Sequence, residues 1–319
     1  MIAEKNLLIP DWPDELSEVD IVKARFVLDF VSPCTVRPND FIRLGSLLRT
    51  PGRQSLNPAD ELAVKQWQAL FQPAPSADPV ARRRFQKPAP ALIMTLPVMQ
   101  ETFIDTGARL ECEVLFVGTG VSLIHVFLSS LIHLGQIGLV SGGGHFQITE
   151  VYSLAHGQPE KLAWQKDDPL DSLTCAVQPL SWLVSQDRVP DRLTLSYETP
   201  VRLMVNGKPL RKPRFGQVFP FMLRRVTSMI FAHSGVEILD EPSSLLESVS
   251  RVDELETRLS WNDWRAIAGQ HDLLVGGFTG DMVLANQALG DIYWVLAVAS
   301  QFGIGKGASY GAGRFKLCH

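Results

Sequence analysis

Residues 289–319 have the sequence LGDIYWVLAVASQFGIGKGASYGAGRFKLCH. Its first half is almost entirely apolar and predicts a buried helix. The glycine-rich stretch that follows ends the helix, because glycine disfavours helices and permits turns. The last residues, GRFKLCH, predict a short strand. The order helix, glycine turn, strand occurs again nearer the N-terminus, where a turn at Gly142–Gly144 precedes another strand.

Upstream of this stretch, the same half of the chain carries a strand, a helix and two more strands. DRLTLSYETPVRLM predicts the first strand, and GQVFPFMLRRVTSMIFAHSG has the apolar spacing of a helix. RVDELETRLSW and DLLVGGFTGDMVLA predict two strands joined across DWRAIAGQ. Together with the last helix and strand, residues 191–319 follow the βαββαβ order of a ferredoxin-like domain.

The N-terminal half shows the same order of elements. Alternating apolar residues predict four strands: VDIVKARFVLDFVSP (19–33), ALIMTLPV (91–98), ARLECEVLFVG (108–118) and GHFQITEVYSL (144–154). Two helices are predicted between them, at NDFIRLGSLLRT (39–50), with Asn39 as the capping residue, and at Ser122–Gly135.

The predicted fold class is α+β, with two tandem ferredoxin-like (RRM-like, βαββαβ) domains and a C-terminal glycine-rich loop. The first domain spans residues 1–155 and contains a polar, proline-rich insertion at 51–90 with one helical piece, ADELAVKQWQALF. Residues 156–190 are predicted to be a connector with local structure. The second domain spans residues 191–319. The repeat is argued from the order of elements, not from sequence identity.

Composition excludes several classes of protein. With 319 residues, 45% hydrophobic and 20% charged, the chain can form two cores and is neither disordered nor fibrous. The apolar stretch from Leu123 to Leu134 contains His125 and His133, so we interpret it as a buried helix. The acidic, proline-containing start does not resemble a signal peptide, and a cytoplasmic location is predicted.

The cysteines argue against a metal site. Cys34, Cys112, Cys175 and Cys318 are far apart and form no CxxC pair. This spacing predicts reduced thiols in the cytoplasm rather than zinc ligands. We therefore predict no metal and no cofactor.

Charge is unevenly distributed along a chain of net charge −4. The net value alone argues against a nucleic-acid-binding protein, since phosphate contacts need clustered cations. Such clusters occur, however, at Arg82–Arg84 with Lys87, at Lys208–Arg214, at Arg224–Arg225 and at the C-terminus. Acidic residues gather elsewhere, notably at 237–256.

The glycine loop fits neither common nucleotide-binding template. A P-loop requires GxxxxGK followed by Ser or Thr, but Lys306 is followed by Gly307 and the loop follows a helix. A Rossmann fingerprint requires GxGxxG between a strand and a helix, and the spacing after Gly305 is wrong. Two interpretations stay open: a structural glycine turn with solvated cations, or an anion-binding nest of backbone N–H groups.

In the second interpretation, Lys306 and Arg314 supply charge to phosphates, and Ser309 and Tyr310 supply hydrogen bonds or base stacking. The candidate RNA-binding residues are then Gly303, Gly305, Lys306, Gly307, Ser309, Tyr310, Gly311, Gly313 and Arg314, with Arg224 and Arg225 from the preceding basic helix.

Several of these stretches, in order, resemble the CRISPR-associated endoribonucleases of the RAMP superfamily that process CRISPR precursor RNA. GIGKGASYGAGRFKL is similar to the family's C-terminal glycine-rich signature, and DLLVGGFTGDMVLA to its GGF-x-G strand. Weaker likenesses lie in LTLSYETPVRL with FMLRRVTSMI, in LFVGTGVSLIHVFLSSLIHLGQIGLVSGGGHFQITEV and in RRRFQKPAPALIMTLP. The resemblance covers roughly residues 80–319 and implies two ferredoxin-like domains.

The resemblance also implies an activity, which is metal-independent cleavage of CRISPR repeat RNA. The ribose 2′-hydroxyl attacks the adjacent phosphate and leaves a 2′,3′-cyclic phosphate and a 5′-hydroxyl. Such a site needs a base, cations for the developing negative charge and a proton donor for the leaving oxygen. The implied partners are repeat RNA and crRNA, with other CRISPR effector subunits as further partners and no membrane.

One departure concerns the catalytic histidine, which family members often place near the first helix. This chain has no histidine before His125. His125 and His133 are predicted to be core or boundary residues, and His233 to cap a helix C-terminus. His271 lies in a predicted turn. His145, beside the first glycine turn, is the candidate base.

The alternative is a site that uses only cations for electrostatic stabilisation, with Lys23, Arg25, Arg43, Lys306 and Arg314 as candidates. The predicted catalytic set is therefore His145, Lys306 and Arg43. Two other functions stay open at this stage. One is a non-catalytic crRNA-binding subunit of an effector complex, and the other is a ferredoxin-like protein unrelated to RNA.

Overall fold

A computed structural model of the protein describes residues 10–48, 60–77, 79, 82, 88–140, 143–185, 188–239, 241–265, 274–285 and 288–318. The strands are β1 Asp20–Phe30, β2 Cys34–Val36, β3 Leu92–Met94, β4 Thr102–Ile104, β5 Arg109–Val117, β6 Phe146–Ser153, β7 Lys161–Gln165, β8 Gln178–Pro179, β9 Arg192–Val201, β10 Met204–Val205, β11 Lys208–Pro209, β12 Asp253–Arg265, β13 Leu274–Ala285 and β14 Phe315–Cys318. The helices are α1 Pro38–Ile42, α2 Leu44–Leu47, α3 Glu61–Phe71, α4 Ile124–Ile137, α5 Trp182–Ser185, α6 Phe215–Ser234, α7 Ser243–Arg251 and α8 Leu289–Phe302.

The first sheet has the strand order β3-β5-β1-β6-β7, and every neighbouring pair is antiparallel. Its strands alternate because one face is covered and the other is open. Val22, Phe26 and Phe30 of β1 face the helices α3 and α4 in a buried core. The intervening Lys23 and Arg25 lie on the opposite face.

The second sheet has the order β12-β13-β9-β14, also fully antiparallel. The strands β12 and β13 pair along their whole length, from Asp253 with Ala285 to Arg265 with Leu274. Helices α6 and α8 cover one face. Helix α6 ends at Gly235, whose φ of 71° is the left-handed conformation typical of a helix C-terminus.

A shared core joins the two halves of the chain. Ile21, Ile93, Leu115 and Val117 project from the open face of the first sheet into the apolar cluster built by α6, α8 and the second sheet. All four are buried. The second half therefore covers part of the open face of the first sheet.

Several elements differ from the sequence-based expectation. The main helix between β1 and β3 is α3, inside the predicted insertion, and Trp67, Leu70 and Phe71 bring it into the first core. The predicted connector at 156–190 contains β7 and β8, which both join the first sheet. The ribbon β2–β4, the hairpin β10–β11 and helix α7 were not predicted.

One helical stretch, Gly118–Ile137, is long and apolar enough to cross a membrane by length and composition. Its C-terminal part is α4, whose Phe127, Leu131 and Leu134 are buried in the first core. A core helix of a globular domain has the same composition.

Candidate functional site

The glycine loop, defined here as residues 303–314, lies between α8 and β14. It begins where the N–H of Gly303 donates to the carbonyl of Ala299, 2.9 Å away, and ends α8. A short 3₁₀ turn, Ala308–Tyr310, follows inside it. Tyr310 and Ala312 of the loop pack in the first core, and Ile304 packs in the shared core. The loop is thus the junction between the two halves of the molecule.

The backbone of the loop is held by hydrogen bonds to the protein itself. Ile304 donates to Gly313, Lys306 donates to Arg202, and Gly313 donates to Pro200, at 2.9–3.2 Å. Buried Thr199 adds two more, because its hydroxyl donates to the Gly311 carbonyl and accepts from the Arg314 N–H. These N–H groups are therefore engaged, which favours the structural-turn interpretation over an open anion-binding nest for this part of the loop.

Two glycines are required by close packing. Gly311 has φ +91°, and a Cβ there would lie 2.5 Å from Cγ of Leu96. A Cβ on Gly313, with φ +64°, would lie 1.8 Å from the carbonyl oxygen of Ile304. Left-handed backbone and overlap of this size both exclude larger residues.

The ring of Tyr310 is buried rather than presented to solvent. It lies so close to Gly45 of α2 that a Cβ there would be 2.4 Å from the ring. Its exposed fraction is 8%. The position does not favour the predicted stacking of Tyr310 on an RNA base. The contact shows instead that the loop packs against α2.

Arg225 and Ser309, both predicted to contact RNA, contact each other. The Nη2 atom of Arg225 donates to the Ser309 hydroxyl at 3.1 Å and to the Phe302 carbonyl at 3.3 Å. Burial lowers the pKa of Arg225 to about 10, so it stays charged at neutral pH. Arg224, one residue earlier on α6, is exposed.

His233 links α6 to the first half of the chain. Its Nε2 atom lies 2.9 Å from the Ala89 carbonyl, and its Nδ1 atom lies 3.4 Å from the Thr119 hydroxyl. Burial lowers the pKa of His233 to about 4, assisted by the charge of Arg225 and opposed by the bond to Ala89. The predicted capping role is wrong, because Gly235 ends the helix and the His233 ring is neutral and faces the other domain.

The predicted cations differ in whether they form ion pairs with carboxylates. Lys23 pairs with Glu113 at 2.8 Å, Arg25 pairs with Glu111 and Glu160, and Arg314 lies 3.5 Å from Glu198, which also binds Lys316. Lys306 is exposed and forms no ion pair within the described residues. It is therefore the member of this set best able to bind a phosphate.

Arg43 lies between α1 and α2, close to the glycine loop. Ile42 approaches the loop at Gly307, where a Cβ would lie 3.5 Å from the Ile42 side chain, and α2 contacts the 3₁₀ turn. The structure thus brings the chain segment of Arg43 next to that of Lys306. Sequence alone could not place these segments together, since more than 250 residues separate them.

His145 lies elsewhere on the first domain. Its Nδ1 atom is 3.0 Å from the Gln136 carbonyl, and its N–H donates to the Ser32 hydroxyl at the end of β1. It precedes β6, whereas the glycine loop contacts β3, with β5 and β1 between them. Three strand spacings amount to roughly 14 Å. The structure therefore does not bring His145 together with the loop.

The remaining histidines do not converge on the loop. His125 and His133 are half-buried on α4, as predicted for core or boundary residues. His156 is exposed and its ring lies 6.0 Å from that of Trp182. His271, His319, Arg83, Arg84, Lys87 and Gly142 lie outside the described residues.

A cleft of about 290 Å³ separates the two halves beside the loop. Lys23 and Glu113 line one side, and Arg314 and Lys316 line the other. Within the described residues, no three His, Cys, Asp or Glu side chains are grouped closely enough to hold a metal ion. The charged residues that line the cleft are thus three ion-paired cations and the carboxylate of Glu113.

Comparison with known proteins identifies the C-terminal half. Residues 195–315, from β9 through the glycine loop into β14, match the family described as CRISPR-associated endoribonuclease Cas6. This half of the chain is therefore similar to the Cas6 family. A second family model, described only as an N-terminal domain, matches residues 59–174. No curated protein matches the chain.

Solved structures show the same fold. A Cas6 product complex is 17% identical with a TM-score of 0.56, and the alignment covers 93% of this chain and 99% of that one. Thermus thermophilus Cas6 is 16% identical with a TM-score of 0.53, covering 94% and 99%. The Cas6 part of a Cas6–RT–Cas1–Cas2 complex is 14% identical with a TM-score of 0.57, covering 98% of this chain and 47% of that one.

Proposed function

We propose that this protein binds CRISPR repeat RNA in the cytoplasm and cleaves it to release crRNA. The observation that carries the proposal is the family match over residues 195–315, which ends on the glycine loop and its exposed Lys306. Both halves of the molecule position that loop, through Gly45 on one side and Thr199 on the other.

We further infer that each half is a ferredoxin-like domain. In both sheets the second, third, first and fourth strands of a βαββαβ unit lie side by side in that order, as β3-β5-β1-β6 and β12-β13-β9-β14. Every neighbouring pair is antiparallel, as this connectivity requires.

The proposed reaction is attack of a ribose 2′-hydroxyl on the neighbouring phosphate, without a metal. The P–O bond to the 5′-oxygen breaks, so the products are a 2′,3′-cyclic phosphate and a 5′-hydroxyl. Lys306 and Arg43, which lie on adjacent segments, are proposed to stabilise the negative charge that develops on the phosphate oxygens. Positioned cations lower the barrier even where no side chain acts as a strong base.

His145 is a less favoured participant, because it precedes β6, which lies three strands away from the loop-contacting strand β3. The proposal therefore predicts unequal effects of three substitutions. Lys306→Ala and Arg43→Ala should lower the single-turnover cleavage rate by about 10²–10³-fold. His145→Ala should leave the rate within about threefold, and a larger loss would restore His145 to the site.

The experiment is cleavage of the repeat RNA encoded beside the gene, followed on a denaturing gel with EDTA present. Repeat RNA with 2′-deoxyribose at the attacking position should bind with unchanged affinity and stay intact. Lys166→Ala is the matched control for Lys306→Ala, because Lys166 is an exposed lysine on the first domain that contacts Gln147.

Tight RNA binding without any cleavage would instead support the alternative function, a crRNA-binding subunit that works with other CRISPR proteins. Cleavage that requires a divalent cation would overturn the metal-independent mechanism. Failure to bind repeat RNA at all would overturn the proposed function.

A further inference from the structure

The chain contains a long segment without acidic residues. From Thr199 to Val236 no Asp or Glu occurs, while this segment carries seven Lys and Arg residues. Because the whole chain has a net charge of −4, the rest of the protein is strongly acidic by comparison. Such segregation of charge creates a local positive potential on a negative protein.

We name a set of six cations from this segment and from the loop the basic ridge. It consists of Arg202, Lys208, Arg211, Lys212, Arg214 and Lys306. Five of them are exposed, and Arg202 is half-buried. None of the six forms an ion pair within the part of the chain that the structure describes. Their charges are therefore available to an anionic partner.

The ridge is continuous with the proposed catalytic loop. The N–H of Lys306 donates to the Arg202 carbonyl at 3.2 Å, and Nη1 of Arg202 donates to the Gly276 carbonyl at 3.3 Å. At Gly276 a Cβ would lie 3.2 Å from the ring of Trp261. The guanidinium of Arg211 lies over that ring, 5.2 Å from its centroid.

Trp261 holds Arg211 in place and is itself fixed. Its indole N–H donates to the carboxylate of Asp263 at 2.8 Å. The carboxylate of Glu254 is likewise occupied, since it accepts the N–H of Phe215 beside Arg214. These two acids border the ridge but are engaged in hydrogen bonds of their own, so they do not neutralise it by contact.

The open face of the first sheet has the opposite character. Glu111, Glu113 and Glu160 lie there and pair with Lys23 or Arg25, while Asp29 and Glu150 flank Arg109. Among the described residues beside the cleft, Lys23 and Arg25 are both ion-paired, so this face attracts a polyanion less than free cations would. The basic ridge and the open face of the first sheet therefore differ in charge.

We infer that the basic ridge is an RNA-binding surface, on which the backbone of the repeat RNA lies as it leaves the glycine loop. This inference rests on the proposed function and names a second contact region for the same substrate. The contacts are to phosphates, so they contribute affinity and orientation rather than sequence readout. Trp261 positions Arg211 and does not itself have to reach the RNA.

The test is fluorescence anisotropy of the full-length protein with the uncleavable 2′-deoxy repeat RNA over a range of KCl concentrations. Relative to wild type, the double variant Arg211→Ala/Lys212→Ala should bind about tenfold or more weakly at low salt. The slope of log Kd against log salt should become shallower by roughly 1.5–2, since each lost phosphate contact removes about 0.7–0.9. Lys208→Gln alone should reduce the slope by about one.

The matched control is Lys161→Ala/Lys166→Ala, which removes two exposed lysines at β7 on the acidic side of the molecule. It should leave the slope unchanged. Equal affinity and slope for the ridge variant and this control would overturn the inference while leaving the proposed function intact. A wild-type protein that fails to bind the RNA would overturn both.

A second arm distinguishes RNA from an anionic membrane. Wild type and the ridge variant are mixed with vesicles of phosphatidylserine and phosphatidylcholine, and co-sedimentation is measured. Ridge-dependent vesicle binding, with RNA binding equal in both proteins, would assign the ridge to lipid headgroups and overturn the inference. Circular dichroism melts of all variants should coincide, because the substituted side chains are exposed.

Discussion

At the scale of single residues, the glycine loop is specified by steric constraints rather than by ligand chemistry. Its glycines allow backbone conformations with positive φ and bring the chain against Leu96, Arg202 and Ile304 at distances that no side chain permits. The sequence left two interpretations of these residues open, a structural turn and an anion-binding nest. Their observed role is to let the loop pack between two domains, with Lys306 left outside.

Replacing Gly311 by alanine tests this role. The substitution combines the cost of a left-handed residue, about 1–2 kcal/mol, with overlap against Leu96 costing about 1–3 kcal/mol more. Gly157→Ala is the control, because Gly157 also has positive φ but a Cβ there meets nothing within 4 Å. Urea unfolding should show the larger loss for Gly311→Ala, and equal losses would contradict the packing argument.

His233 makes stability depend on pH. Burial lowers the pKa of His233 from 6.5 to about 4 in the folded protein, so the unfolded chain binds this proton more readily. The neutral ring therefore contributes fully above pH 6.5, and the contribution falls as the pH drops from 6.5 towards 4. The difference in pKa corresponds to at most about 3 kcal/mol.

The measurement compares wild type with His233→Gln by urea unfolding between pH 7.5 and 4.5. Wild type should be more stable at pH 7.5, and its advantage should shrink steadily as the pH falls. Because both proteins share all other titrating groups, only His233 contributes to the change in the difference. A difference that stays constant with pH would show that the buried ring does not titrate in this way.

At the scale of elements, helix α6 has two arginines with opposite roles. Arg225 points inward to Ser309 and the end of α8, while Arg224 is exposed. Sequence could not separate them, because adjacent residues on a helix differ by about 100° and the buried face is known only once the helix is docked.

Alanine substitutions should therefore differ sharply between neighbours. Arg225→Ala removes two hydrogen bonds from a charged group and leaves a void, so we expect a loss of about 2 kcal/mol in the free energy of unfolding. Arg224→Ala should stay within about 0.5 kcal/mol of wild type. Chemical denaturation of the two variants side by side measures this. A comparable loss for both would mean that Arg225 is not anchored as described.

Element order was largely predictable and element contacts were not. The long strands β1, β5, β6, β9, β12 and β13 follow from apolar alternation, which is a local signal. The helices Phe215–Ser234 and Leu289–Phe302 follow from helical spacing in the same way. The β10–β11 hairpin also has a local signal, the Asn206–Gly207 turn, in which both residues have positive φ. The contact of Tyr310 with Gly45 has no local signal, because it depends on how the domains dock.

At the scale of the whole molecule, the two sheets are not independent units. The shared core takes buried residues from the open face of the first sheet and from α6 and α8. Tyr310 and Ala312 return from the second half to the first core. Contacts in both directions mean that neither half can lose its structure without exposing apolar surface on the other.

Unfolding should accordingly occur in one transition. Far-ultraviolet circular dichroism and tryptophan fluorescence should give coincident midpoints in urea, although the chain has two sheets. Trp67 and Trp164 report on the first core and Trp294 on the shared core. Separate midpoints for the two probes would show that the halves unfold independently.

Tyr310 lies late in the chain but packs in the first core, and this affects folding during synthesis. Apart from Tyr310 and Ala312, the buried residues of that core end at Trp164, so about 146 residues must be synthesised between Trp164 and Tyr310. At roughly 5–20 residues per second, this delay lasts on the order of 10–30 seconds. During synthesis the first domain therefore exists with Gly45 and its surroundings uncovered. The aromatic ring of Tyr310 becomes available to close it only after this delay.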